Sequence, residues 1–266
     1  MNKKTTYTLL MLVCVVGFWL FENFYTPDTY SDPNHKNTEN TPYQDFYPTS
    51  TTGDIVHHTN FSLSYHEKHE QAEWVFYQLT KDQLTYDDRK RPYFIEDPKV
   101  STKSADWKNY RGSGYDRGHL VPAGDRRFSE FAYNETFYTS NISPQNSEFN
   151  AGVWNDLEKQ VRYWCKKYGP LYIMTGGVLD NNLSSIGDED VSVPNYFYKI
   201  VARKEGDTLK MIAFLFPNKP STAPVKSFLV SVDEIEQKTN INFFEKLPDT
   251  QENNLESKIE STDWKF

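Results

Sequence analysis

The sequence predicts an α+β fold, with a mostly antiparallel central sheet flanked by helices. Three observations predict it. Apolar runs of strand length recur between polar, Gly- or Pro-containing turns. One long segment repeats its apolar residues at helical spacing. No internal repeat organises the chain. Strands and helices so mixed, without strict alternation, fit α+β layering.

At 266 residues the chain holds one large domain or two small ones. Only 37% of residues are hydrophobic, but 16% are aromatic, and aromatic side chains fill a core with few residues. The formal net charge of -8 argues mildly against a nucleic-acid partner, although a local basic cleft can work within an acidic protein. Of two cysteines, Cys14 lies in an N-terminal apolar run and Cys165 stands alone, so no intradomain disulfide is expected.

Lys3 and Lys4 precede an apolar run from Tyr7 to Phe21. A basic segment before such a run reads as an export signal, and at about fifteen residues it is short for an ideal span. Residues 1–21 are read as an uncleaved anchor that borrows Thr5 and Thr6 to span, with a cleaved signal as alternative. The rest is then placed outside the cytoplasm, membrane-anchored or secreted. Residues 22–53, rich in Pro, Asn, Thr and Asp, read as a linker in which His35 is solvated. A folded domain is expected over 54–266.

Within it, Phe61–Tyr65 and Glu73–Thr80 read as strands. His57-His58 and His66–Glu70 lack metal-ligand spacing and read as polar turns. Residues 87–111 are irregular, and among Arg89, Lys90 and Arg91 one is a candidate phosphate contact, a solvated loop being the alternative. Residues 147–168 read as one helix, because Trp154, Leu157, Val161 and Trp164 make one apolar face that ends at Gly169-Pro170. Cys165 is read as a partly buried residue of that helix. Leu171–Met174, Tyr196–Val201 and Met211–Phe216 are strands. Asp233 caps a short helix, Asn242–Phe244 docks after it, and Leu255, Ile259, Trp264 and Phe266 are the tail's docking points.

Fewer than fifty residues, from Tyr115 to Glu158, carry a histidine, an arginine, several carboxamides and carboxylates. That mixture suits metal-assisted cleavage of a phosphodiester: a base for water, oxygen ligands for a hard cation and a cation for the phosphate. His119 has a reference pKa of about 6.5, which leaves much of it neutral near pH 7. It follows a glycine that lets the backbone turn tightly. Asn141 and Asn150 offer amide oxygens, and Glu158 supplies negative charge. In a continuous helix Asn150 and Glu158 stand about 12 Å apart along the axis. Both ligate one ion directly only if Asn150 precedes the regular helix; otherwise Glu158 acts through water. Glu158 and Arg162 are i,i+4 neighbours, either a surface ion pair or a route by which Arg162 meets the phosphate that Arg117 approaches. Arg126 and Arg127 either add local positive charge or sit in a solvated turn.

Asp116-Arg117-Gly118-His119 resembles the signature of the DNA/RNA non-specific endonucleases, the ββα-metal nucleases that include mitochondrial endonuclease G. Two further ordered blocks, Ser140–Gln145 and Phe149–Trp154 with Leu157-Glu158, are similar to the same family, and the likeness runs from about Ile55 to Pro248. The resemblance implies a ββα-metal site. His119 matches the general base, Asn150 the direct Mg²⁺ ligand with Mn²⁺ as an alternative ion, and Glu158 the acid that holds metal-bound water. Arg117 and Arg162 match arginines near the phosphate, and Arg91, or else Arg89, an arginine that meets the transition state. Asp116 and Asn141 match residues that hold the geometry. The implied activity is Mg²⁺-dependent endonucleolysis of DNA and RNA that leaves 5′-phosphate ends, in a monomer or a dimer. Its rivals are a catalytically silent, membrane-tethered nucleic-acid-binding module, a tethered structural protein, and an enzyme acting on a small nucleotide.

Overall fold

A computed structural model describes residues 2–24 and 46–266. The chain divides into two compact units, 1–35 and 36–266. The described residues of the N-terminal unit form one helix, α1 (Lys3–Phe24). Among the described residues no helix is long and apolar enough to cross a membrane. The spanning anchor expected over residues 1–21 is therefore corrected: a span needs about 20 predominantly apolar residues, and borrowed threonines do not supply the missing length. Most of the expected linker, His35 included, lies outside the described residues.

The second unit is built on a seven-stranded sheet, in the order β1 (Ile55–His57), β2 (Ser62–His66), β3 (Gln71–Leu79), β6 (Leu171–Gly177), β9 (Tyr196–Glu205), β10 (Thr208–Pro217) and β11 (Leu229–Val230). Every neighbouring pair is antiparallel. Strands β4 (Asp116–His119) and β5 (Ile142–Gln145) form a separate pair, as do the two-residue β7 (Ser185–Ile186) and β8 (Val191–Ser192). The helices are α2 (Glu130–Glu135), α3 (Ser147–Phe149), α4 (Asn155–Tyr168), α5 (Val232–Thr239) and α6 (Asp249–Glu256). The fold is α+β, as the sequence predicts.

The large sheet is apolar on both faces, because its long strands alternate between two cores. From β3, Val75, Tyr77 and Leu79 enter one core with Trp154, Leu157, Val161 and Trp164 of the helical segment. Trp74 and Phe76 enter the other, with Val232 and Ile235 of α5 and the docked Phe243 and Phe244. Each such side chain taken fully from water contributes about 1.5–3 kcal/mol. Before β1, Phe46 already packs in the second core, and Thr49 O accepts from Trp74 Nε1 at 2.8 Å. A third cluster gathers Phe94, Tyr110, Phe137 and Ile142 around the β4–β5 pair.

Several local expectations need correction. The single helix over 147–168 is broken. α3 runs into a wide turn at Asn150–Trp154, where Gly152 leaves helical geometry (φ -96°, ψ -116°), and only then does α4 begin. His57-His58 is not a polar turn: His57 ends β1, and buried His58 pairs with Asp97 at 2.7 Å and with Glu135 at 3.7 Å. The turn at His66–Glu70 does form, but His69 is buried against Ser192 Oγ at 2.9 Å. Ser231, not Asp233, caps α5, accepting from Glu234 N at 3.1 Å. Of the tail's expected docking points, Trp264 is buried and stacks edge-on to Trp164, whereas Ile259 is exposed.

Candidate active site

Strands β4 and β5 lay the two motif blocks against each other. Asp116 pairs with Gln145, Arg117 with Pro144, Gly118 with Ser143 and His119 with Ile142. The third block follows directly as α3, the wide turn and α4. Gly118 lies in extended strand backbone, not in a tight turn as its place before His119 suggests. Its need for hydrogen as a side chain is steric, because a Cβ there would overlap the buried Gln145 side chain.

His119 is enclosed by aromatic rings, with Phe137 edge-on at 4.8 Å and Phe94 tilted at 5.6 Å. Its Nε2 is buried without a hydrogen-bond partner. Burial, with the nearby Arg91 guanidinium second, pushes its pKa down to about 3, so the ring is neutral across the physiological range. Arg91 lies 5.4 Å from the Phe94 centroid and 5.5 Å from that of Phe137. Arg117 lies 5.1 Å from Phe94 and 5.6 Å from Trp107. Two guanidiniums thus gather around one ring beside His119, a local positive field within an acidic chain. Arg89 is engaged elsewhere, donating to Arg127 O at 3.0 Å and to Asp87 at 3.2 Å.

Asp116 fixes the amide of Asn150. Its Oδ2 accepts from Asn150 Nδ2 at 3.0 Å, while its Oδ1 accepts from Ser147 Oγ at 2.7 Å. With the nitrogen committed to a carboxylate, the amide oxygen is turned the other way and is available to a cation. Asn150 stands ahead of α4, where the sequence reading required it to stand for sharing an ion with Glu158. The donor chemistry, an amide oxygen with a carboxylate behind it, fits a hard divalent ion such as Mg²⁺ completed by waters. Asn141 does not fit that role. Its oxygen accepts from Val121 N at 2.9 Å and its nitrogen donates to Val121 O and Thr136 O, so the expectation that it offers an oxygen to a cation is corrected.

Glu158 and Arg162 are 3.8 Å apart on α4, but the stronger partner of Arg162 is Asp125 at 2.8 Å. The pair is not a free surface ion pair, because Asp125 is buried and Arg162 only 24% exposed. Burial raises the Glu158 pKa and Asp125 raises it further, against the pull of Lys199 and Arg162. Lys199 projects from β9 into the same region. It is fully buried, its Nζ has no hydrogen-bond partner, and it lies 4.7 Å from the Trp154 centroid. Arg126 adds no free charge: it is buried over Tyr77 and donates to Asn60 O and Gln78 O.

The fold therefore brings Arg91, Arg117 and His119 together at Phe94, joins Asp116 to Asn150, and links Glu158 to Arg162. Sequence reasoning missed Asp125 and Lys199. Asp125 was overshadowed by the arginines beside it. The signal for Lys199 was a lone lysine inside the apolar run Tyr196–Val201.

A family model for DNA/RNA non-specific endonucleases matches residues 39–250. The chain belongs to the DNA/RNA non-specific endonuclease family. Mouse mitochondrial nuclease EXOG is 34% identical over 80% of this chain and 63% of its own length. Nuclease C1 of Cunninghamella echinulata is 35% identical over 74% of this chain and 85% of its own. Human mitochondrial endonuclease G is 33% identical over 69% and 67%. A crystal structure of an EndoG/EndoGI complex superposes with a TM-score of 0.69 at 32% identity, covering 74% of this chain and 88% of that one. The chain thus spans about 63% of the EXOG relative's length. The expected placement as an exported, membrane-anchored protein is overturned. Relatives of this chain include mitochondrial nucleases, and among the described residues no helix is long and apolar enough to span.

Proposed function

We propose that this member of the family is a Mg²⁺-dependent endonuclease that hydrolyses phosphodiester bonds of DNA and RNA with little sequence preference. The observation that carries the reading is a neutral histidine with a buried Nε2, packed on Phe94 beneath the Arg91 and Arg117 guanidiniums, in the strand that also bears Asp116, the carboxylate that holds the Asn150 amide. His119 takes the proton of the attacking water at a ring nitrogen. Arg117 and Arg91 bind the phosphate oxygens, and Arg91 meets the charge that grows in the transition state. Asn150 would hold the cation through Oδ1, and Glu158, beside the Arg162 that Asp125 holds in place, would orient the waters around it. The ion, when bound, supplies Lewis-acid stabilisation of the phosphate and of the leaving oxygen. Asp116 orients Asn150, and Asn141 ties the loop after β4 to the entry of β5 through Val121 and Leu120. In-line attack on these terms leaves a 5′-phosphate and a 3′-hydroxyl. We assign this activity to the second unit, which contains the domain expected over 54–266.

The test is nicking of supercoiled plasmid by the full chain, in Mg²⁺ or in EDTA, beside His119→Ala and Asn150→Ala. Nicking should require the ion and fall by at least about two orders of magnitude in His119→Ala, with a comparable loss in Asn150→Ala. Wild-type chain that binds plasmid but never nicks it in any divalent ion would show a silent binding module instead.

A further inference from the structure

A second oxygen-only cluster lies on the other side of the large sheet. Helix α5 carries Asp233 and Glu236, three residues apart and therefore on one side of the helix. Glu256 is the last residue of α6, which packs against α5. One carboxylate oxygen from each of the three lies within 4.8 Å of the other two. Asp233 and Glu236 are half-buried, but Glu256 is only 3% exposed, and its Oε1 has no hydrogen-bond partner. Glu236 is held in place from outside the cluster, because its Oε1 accepts from Phe243 N at 2.9 Å.

A buried carboxylate turned toward two others is unfavourable unless something offsets desolvation and repulsion. Burial and the neighbouring Glu236, Glu252 and Asp233 push Glu256 up to about 8. The donors are hard oxygens with no imidazole or thiolate among them, which disfavours zinc and copper. Oxygens on one Ca²⁺ lie about 2.3–2.6 Å from it, so separations within 4.8 Å can be spanned by one ion, and Ca²⁺ accepts several protein carboxylates where Mg²⁺ usually keeps its waters and takes one or two.

We propose that Asp233, Glu236 and Glu256 bind a calcium-class divalent cation that fastens α6 to α5. The site is independent of the candidate active site. Val232 and Ile235 of α5 pack in the core on one face of the sheet, and Leu157 and Val161 of α4 pack in the core on the other. Water completes the coordination on the half-exposed side of Asp233 and Glu236.

The test uses the full chain stripped of metal, with Ca²⁺ alone as probe, in equilibrium dialysis and thermal unfolding. Asn150→Ala serves as background, since it removes the ligand proposed for the other site. One Ca²⁺ per chain should remain bound in Asn150→Ala, and Ca²⁺ should raise its melting temperature in a concentration-dependent way. Glu256→Gln in that background should weaken binding by about tenfold or more, because a charged ligand becomes neutral. Adding Asp233→Asn should abolish both the binding and the thermal shift. If Glu256→Gln does not fold, Asp233→Asn alone carries the comparison, being half-buried in the first turn of α5. The proposal is overturned if Ca²⁺ binds only when Asn150 is present, if neither carboxylate substitution changes its affinity, or if none binds and the cluster merely shares a proton.

Discussion

His119 is kept neutral by its surroundings. Its ring is packed by Phe94 and Phe137 and faces the Arg91 guanidinium, and both burial and like charge disfavour the imidazolium. The sign follows directly. A histidine whose folded pKa lies near 3, against about 6.5 when unfolded, is protonated first in the unfolded chain. Its contribution to stability is complete above about pH 6.5 and is lost as pH falls toward 3. Loss of nicking on the acid side should therefore not follow a midpoint near 6.5 set by this ring. An NMR titration of the His119 Cε1 proton in the metal-free protein should show no protonation at pH 5, and an ordinary midpoint would sink the reading. Asp116 acts at the same scale through one bond. Removing it in Asp116→Ala frees the Asn150 amide to rotate. The Mg²⁺ concentration for half-maximal nicking should rise by about 10–100-fold, with a smaller loss at saturating ion. An unchanged Mg²⁺ requirement would mean that Asp116 does not orient the ligand.

At the scale of elements, two strands and one helix hold the site, and the core beneath them holds two charges that no motif announces. Lys199 sits on β9 under Trp154, with Glu158 and Asp125 acting on it, and burial lowers its pKa. A buried cation without a hydrogen-bond partner contributes little to stability and is often replaced by an apolar side chain at no loss. Lys199→Met should therefore unfold within a few degrees of wild type. It should still shift the enzyme, because loss of a cation near Glu158 raises that carboxyl's pKa. The acid limb of the nicking rate against pH should move upward, with activity recovering at higher pH, and an unmoved profile would separate Lys199 from the site. This element also shows what the sequence could and could not say. The order of blocks around His119 and Asn150 was legible because the motif residues are close in sequence and their chemistry is specific. The break at Gly152 was not, because the apolar spacing of Trp154, Leu157 and Val161 reads the same with or without a wide turn ahead of it. Nor was the bond between Asp125 and Arg162, which joins a loop to a helix 37 residues away. Arg89 and Arg91 differ in what surrounds them, and each has a partner from a distant part of the chain, Arg127 O for Arg89 and the Phe137 ring for Arg91.

Across the whole molecule, the large sheet separates two kinds of work. One face carries the helix that bears Glu158 and Arg162, and the other carries the acidic cluster of α5 and α6. The net charge of -8 is therefore no guide to the charge at the site, where two guanidiniums lie over Phe94, the ring packed against His119. The chain's last residues return to the first face and clamp α4 from outside. Trp164 Nε1 donates to Lys265 O at 2.7 Å, Gln160 Nε2 donates to the same oxygen at 2.9 Å, and Lys265 N donates to the Tyr168 hydroxyl at 3.0 Å. Trp264 fills the space between, edge-on to Trp164 at 4.9 Å and under the Arg203 guanidinium at 5.3 Å. A buried tryptophan truncated to alanine costs about 3–5 kcal/mol through lost burial and the cavity left behind. In a domain of this size each 1 kcal/mol moves the melting temperature by about 2–4 °C, so Trp264→Ala should melt at least about 6 °C below wild type. Trp264 touches neither His119 nor Asn150, so the folded fraction should keep its Mg²⁺ requirement and its pH profile at low temperature, while losing activity early on warming. Differential scanning calorimetry beside nicking assays at 10 °C and 37 °C checks both halves. A variant that melts with wild type would show that the tail merely rests on α4, and one that melts early but also shifts its Mg²⁺ dependence would show that the clamp reaches through α4 to Glu158.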